Sequence, residues 1–205
     1  MDLYTPGEWV RGKWTARRAS GDMMDLPAGP FSIIYADPPW RFRVWGKNGQ
    51  KKAPDSHYPT MTTEDVKLLP VPGIAAKDAL LILWAYDPML PQAYEVAGAW
   101  GFEPVTVFKY WNKVTTSGKP CFGLGYHTRG GGTEQCLLFK RGKGLKVLDH
   151  SIRRTFTAPI REHSRKPDEV REDIVKIYGD VPRLEMFSRT TTPGWAVWGK
   201  EKEKF

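Results

Sequence analysis

The chain has 205 residues, 40% of them hydrophobic, 13% aromatic and 26% charged. That is too apolar and too ring-rich for a disordered chain, and long enough for one domain over residues 1–205 with a sizeable core. The net charge of +8 is concentrated: residues 109–171 carry 14 Lys/Arg against 5 Asp/Glu, while residues 1–108 carry 11 against 12 and residues 172–205 carry 6 against 6.

Phe31 to Ala36 is a short apolar run ending at Pro38-Pro39, which cannot extend a ladder, and so predicts a buried strand feeding a loop. A long irregular stretch, Arg41 to Thr60, follows. Ala79 to Trp84 predicts a second strand. Its apolar run ends at Tyr86, far short of the roughly 20 residues of a membrane helix. Asp87-Pro88 reads as an N-cap and first turn, opening a helix that reaches Trp100 before Gly101. Val105 to Trp111 and Gln135 to Phe139 read as strands on either side of a second irregular stretch, Val114 to Thr133. Pro167 to Tyr178 reads as a helix closed by Gly179, and Leu184 to Phe187 and Trp195 to Trp198 as the last strands. Strands alternating with helices predict an α/β fold with a largely parallel sheet. Its ligands should sit at the carboxyl ends of the strands, beside the loop after Ala36.

Cys121 and Cys136 allow at most one disulfide, and His57, His127, His150 and His163 lack zinc-ligand spacing, so a metal or disulfide scaffold is not expected. Gly130-Gly131-Gly132 follows no strand, which disfavours nicotinamide and nucleoside-triphosphate chemistry. Asp2 and Glu8 with no apolar run behind them predict no secretory leader and a cytoplasmic protein. In the basic segment, Tyr110, Trp111, Phe122 and Tyr126 are interleaved with the positive charge, a pattern that fits a polyanion partner as well as a solvated face.

Asp37-Pro38-Pro39-Trp40 carries the most chemistry. One reading is a rigid strand exit with a buried tryptophan. The other starts from the exocyclic amine of a nucleobase, a poor nucleophile because its lone pair is delocalised into the ring. A carboxylate from Asp37 and the carbonyl of Pro38 can accept its two hydrogens, and two prolines hold both acceptors in place. Trp40 would then offer a ring on which an extruded base stacks.

The chain resembles the permuted adenine-N6 methyltransferases, the family of the mRNA adenosine methyltransferase catalytic subunit and of many bacterial and phage DNA-modifying enzymes. The motifs run in family order from Asp22 to Glu201: Gly21-Asp22-Met23, Ala36 to Trp40, Trp111-Asn112-Lys113, Thr133-Glu134-Gln135-Cys136-Leu137, Arg165-Lys166-Pro167-Asp168-Glu169, Leu184 to Arg189, and Gly194-Trp195 through Trp198-Gly199. The resemblance implies a Rossmann-like fold and transfer of methyl from S-adenosylmethionine to an adenine amine in nucleic acid. The resemblance to its short bacterial and phage members leads us to expect DNA in preference to RNA, in the cytoplasm of a prokaryotic or phage-infected cell. It implies that Asp37 also meets the cofactor's amino group and that Asp22 and Met23 hold its adenine. It further implies that Lys166 pairs with its carboxylate, with Glu185, Phe187 and Arg189 lining the site. Thr191 and Thr192 stand where the mRNA enzyme has a His-Asn pair, and Lys200 and Glu201 where it has Asn-Gln, as candidate ribose contacts.

For the target, the resemblance places Tyr58 and the stretch Gly125 to Glu134 beside the flipped base, with Glu134 positioning rather than accepting a proton. Lys113, Lys119, Arg129, Arg153, Arg154 and Arg161 are candidate phosphate contacts. Six neutralised phosphates predict a log-affinity against log-salt slope of about −5. Specificity would come from the two long loops, from a homo- or heterodimer partner, or be low. An RNA acceptor, a catalytically silent nucleic-acid-binding subunit, and a cytosine or small-molecule acceptor are the competing readings.

Overall fold

The computed structural model describes residues 26–41, 60–123, 127–162 and 165–199, and the backbone of 8–10 and 13–15. Glu8–Val10 (β1) and Lys13–Thr15 (β2) form a separate antiparallel pair. The main sheet has seven strands: Phe31–Ala36 (β3), Ala75–Ala85 (β4), Glu103–Val114 (β5), Thr133–Arg141 (β6), Thr155–Pro159 (β7), Arg183–Met186 (β8) and Ala196–Trp198 (β9), in the order β7-β5-β6-β4-β3-β8-β9. Four of its six ladders are parallel, and the two antiparallel ones both involve β6. This is the expected Rossmann-like α/β architecture with a mostly parallel sheet.

The period-2 alternation of the central strands divides the core in two. Ile34, Ala36, Leu81, Leu83, Leu137 and Leu184 face one side of the sheet, where Leu90–Ala99 (α3) packs through Ala93, Val96 and Ala97. Ile33, Tyr35, Leu80, Ile82, Trp84 and Cys136 face the other, against Val170, Ile174, Ile177 and Tyr178 of Glu169–Tyr178 (α4). Each fully buried aliphatic chain is worth about 1.5–3 kcal/mol, and burial on both faces is why β3 and β4 read as unbroken apolar runs.

Several boundaries differ from the sequence reading. Asp87 does not cap α3; it opens a 3-10 turn, Asp87–Met89, and its carboxylate accepts from Gln135 Nε2 at 3.3 Å. α4 starts at Glu169 rather than Pro167, and Asp168 at its N-cap position bonds no helix N–H because its carboxylate holds Arg161 and Arg171. Gly179 ends α4 with φ of 79°. β8 stops at Met186 because Phe187 turns to φ of 62°. Thr63–Lys67 (α1), Val71–Ile74 (α2) and β7 were not expected. α1 does carry a readable signal, a capping box between Thr62 and Asp65.

Strand direction fixes where side chains meet. β3, β4 and β8 are parallel, so their carboxyl ends share one edge; β6 is antiparallel to β4 and begins at that edge, and β5 ends there. Asp37, Phe187, Glu134 and Lys113 are thereby brought to one end of the sheet from four different strands.

Candidate active site

Lys166 is the hub of this edge. It lies on the loop before α4, and its Nζ stands 2.8 Å from Asp37 Oδ2 and 3.4 Å from Glu134 Oε2. Glu134 Oε1 accepts in turn from Lys113 Nζ. The chain Asp37–Lys166–Glu134–Lys113 therefore alternates two carboxylates with two ammonium groups. Trp84 and Trp111, packed edge to face at 6.3 Å, form its floor: Lys166 Nζ lies 5.4 Å from the Trp84 ring and Lys113 Nζ 5.2 Å from the Trp111 ring.

The two carboxylates titrate in opposite directions. Burial pushes Asp37 above the usual carboxylate range, and Lys166 only partly offsets it. Burial also opposes the charge on Glu134, but Lys166 and Lys113 together outweigh it and hold that carboxyl below the usual range. Neighbouring carboxyls shifted in opposite directions by burial and by shared cations are an arrangement that recurs at reactive sites.

The turn after β3 is locked on both sides. Pro38 O accepts from the Trp40 backbone N–H at 2.8 Å, and Pro39 O accepts from Met61 N at 2.8 Å. Trp40 corrects an expectation. Its ring is 5% exposed and its indole N–H donates to Trp84 O at 3.1 Å, so it is part of the core and offers no face to a base. An indole N–H buried here needs an acceptor, and the Trp84 carbonyl supplies one. Pro38, which keeps a second lone pair on its carbonyl oxygen, is buried, while Asp37 and Pro39 are half-buried.

A cleft of about 440 Å³, partly open to solvent, lies beside this turn, lined by Tyr35, Asp37, Arg165, Lys166, Arg171, the segment Glu185 to Arg189, and Thr190. Glu185 Oε1 accepts from Arg171 Nη1 at 2.8 Å; its other oxygen, Oε2, is buried without a hydrogen-bond partner among the described residues. Burial raises the Glu185 carboxyl, with Arg171 opposing. Arg171 also donates to Asp168, whose other oxygen takes Arg161 Nη1 at 2.6 Å, and Arg161 Nη2 donates to Lys166 O at 2.8 Å. These residues fasten the Lys166 loop to α4 and β8.

Of the expected cofactor residues, Asp37, Lys166, Glu185, Phe187 and Arg189 line the cleft, whereas Thr191 and Thr192 do not. Asp22, Met23, Tyr58, Lys200 and Glu201 lie outside the described residues. Among the target-binding candidates, Lys119, Arg129, Arg153 and Arg154 are exposed. Lys113 is a correction: it is held by the Glu134 carboxylate, which an approaching phosphate would have to displace, whereas Arg161 is exposed and shares a surface ion pair with Asp168. Arg165 appeared only as the first residue of the Arg165-Lys166-Pro167-Asp168-Glu169 motif, with no role given to it, and neither Tyr35 nor Arg171 was singled out from the sequence. The Asp168–Arg171 spacing of three residues on a helix was the only local signal for the last.

A protein-family model described as MT-A70 matches residues 31–201. The chain belongs to the MT-A70 family. Its expected class, an adenine-N6 methyltransferase, stands with that membership. The chain is 29% identical to the type II methyltransferase M.MunI of Mycoplasma sp over 192 residues, covering 86% of this chain and 79% of that protein. It is 30% identical over 192 residues to the N(6)-adenine-specific methyltransferase METTL4 of Mus musculus, covering 85% of this chain and 38% of that protein. It is also 30% identical over 183 residues to the N6-methyladenosine RNA methyltransferase MTA1 of Pyricularia oryzae, covering 83% of this chain and 46% of that protein. The chain thus spans less than half the length of the last two relatives.

Proposed function

We propose that this MT-A70 methyltransferase takes its methyl group from S-adenosylmethionine and places it on the N6 amine of adenine in nucleic acid, DNA in preference to RNA. The observation that carries the reading is Asp37, at the carboxyl end of a central strand, on the wall of a cleft and beside Lys166. In its ionised form Asp37 accepts one amine hydrogen, and the Pro38 carbonyl, with one lone pair on Trp40 N, accepts the other with its second. Both acceptors are fixed before the base arrives, so no reorganisation is needed as the nitrogen becomes more tetrahedral. Trp40 contributes by pinning that turn to the Trp84 carbonyl.

The cleft's donors and acceptors fit the cofactor. Lys166, Arg165 and Arg189 offer cations to a carboxylate, and the unpartnered Glu185 Oε2 is an acceptor for an ammonium or hydroxyl group. When bound, S-adenosylmethionine supplies an electrophilic methyl carbon. Asp22, Met23, Lys200 and Glu201 are proposed to complete its site. The DNA preference rests on likeness to the short DNA-modifying members of the family.

The test is to incubate the protein with methyl-labelled cofactor and either DNA or RNA oligonucleotides containing adenine, digest to nucleosides and identify the labelled base. N6-methyladenine, mostly from DNA and lost in Asp37→Ala, is the expected result. Equal labelling by wild type and Asp37→Ala would overturn the role of Asp37, and preferential RNA labelling would reverse the substrate preference.

A further inference from the structure

Phe122 is 64% exposed, more than any other large hydrophobic residue among those described. It sits in the segment between β5 and β6, on an arm held by backbone bonds on both sides: Cys121 N donates to Lys113 O at 2.9 Å, Gly123 N to Gly130 O at 2.5 Å, and Lys113 N to Gly132 O at 2.8 Å. Gly132 is required for the arm to close, because a Cβ there would lie 2.4 Å from Cys121 O. The ring is held as well: the Arg129 guanidinium carbon lies 5.1 Å from its centroid. A single exposed ring is ordinary on a protein surface, but this one is held in position by an arginine on a hydrogen-bonded arm.

The arm stands at the active-site edge, since Cys121 bonds the backbone of Lys113, and Lys113 leads through Glu134 and Lys166 to Asp37. Residues 115–133 include Lys119 and Arg129 and no Asp or Glu. Apolar wedges on basic elements are how proteins unstack a duplex step, and an extruded base must be replaced by something in the stack.

We propose that Phe122 is a base-displacing wedge: its ring enters the stack of a double-stranded substrate as the target adenine leaves for the Asp37 turn, with Lys119 and Arg129 on the flanking phosphates. The inference rests on the adenine-methyltransferase reading and narrows it to a duplex substrate. A paired adenine then depends on Phe122 most, and an adenine with no pairing partner, cheaper to extrude, depends on it less.

The experiment compares wild type, Phe122→Ala and Phe122→Trp on two duplexes, one with the target adenine paired to thymine and one with it opposite an abasic site. Phe122→Ala should lose roughly tenfold or more in kcat/KM on the paired duplex and several-fold less than that on the abasic one, and Phe122→Trp should restore the paired rate. In parallel, 2-aminopurine at the target position should brighten on binding wild type and stay quenched with Phe122→Ala. An equal loss on both duplexes, or brightening unaffected by Phe122→Ala, overturns the wedge. So does a change of oligomeric state in Phe122→Ala, which would assign the ring to a protein interface. If wild type brightens the probe through Phe122 but transfers no methyl, the wedge stands and the enzymatic reading falls.

Discussion

The basic residues of the middle segment divide into two populations with different work. Lys109, Lys113 and Lys166 have side chains only 3%, 16% and 10% exposed, and each holds a carboxylate: Asp173, Glu134, and Asp37 with Glu134. Lys119, Arg129, Arg153 and Arg154 are exposed on the surface. One sign of charge thus serves two ends. Inward, it compensates buried anions and sets their protonation; outward, it offers a field to a polyanion. Net charge alone makes no such distinction, which is why +8 is a weaker clue than the location of each cation.

The inward set is broken most severely at its focus. Asp37→Asn keeps the side chain's size but removes the carboxylate proposed to accept the amine hydrogen, and should lower kcat by roughly 10²–10³-fold. Lys166 keeps Glu134 as a partner, so the urea midpoint should move little. An unchanged kcat would remove Asp37 from the mechanism. The Lys109 pair tests a purely structural member of the same set. Its Nζ is 2.6 Å from both Asp173 Oδ2 and Arg153 O, tying α4 and the entrance of β7 to β5. Lys109→Met leaves Asp173 without its charge partner and should cost about 3 kcal/mol in urea unfolding. Adding Asp173→Asn should recover part of that loss, and strict additivity of the two would show that the pair is not coupled.

The two carboxylates on Lys166 sharpen the comparison through pH. On the proposed mechanism methyl transfer needs Asp37 ionised, and burial raises its carboxyl, so the acid limb of kcat/KM should lie above the range of an ordinary aspartate. Lys166 pulls that carboxyl down and the Glu134 charge pushes it up. Lys166→Met should therefore move the limb to higher pH and Glu134→Gln to lower pH. Limbs moving in the same direction in both variants would show that Asp37 is not the titrating group.

Much of this fold was legible because its central strands are buried on both faces. Phe31–Ala36 has the bounds read from its apolar run, and β4, β5 and β6 were located with their ends short by a few residues. β7 was missed because it is an edge strand with a single buried residue, Ala158, ending at a proline. The Asp-Pro-Pro-Trp turn was recognisable as a site, but the direction of the Trp40 ring was not, since that depends on a carbonyl 44 residues away. The joining of residues 37, 113, 134 and 166 was likewise hidden. It follows from β6 entering the sheet antiparallel next to β4, a topological fact with no local spacing to announce it.

The outward set carries the smallest and most graded effect. Six phosphate contacts gave an expected salt slope of about −5, but Lys113 is already committed to Glu134. Counterions are released only where a cation meets phosphate, so the five exposed candidates Lys119, Arg129, Arg153, Arg154 and Arg161 set a slope for duplex DNA of about −4.5. Arg153→Ala should reduce its magnitude by about 1 and weaken binding alike across sequences, because a phosphate contact reads no base. Lys113→Ala should leave the slope unchanged while lowering turnover, since the charge it removes faces Glu134 and not the solvent. If Lys113→Ala flattened the slope as much as Arg153→Ala, the division into inward and outward cations would fail at the residue where it is drawn most finely.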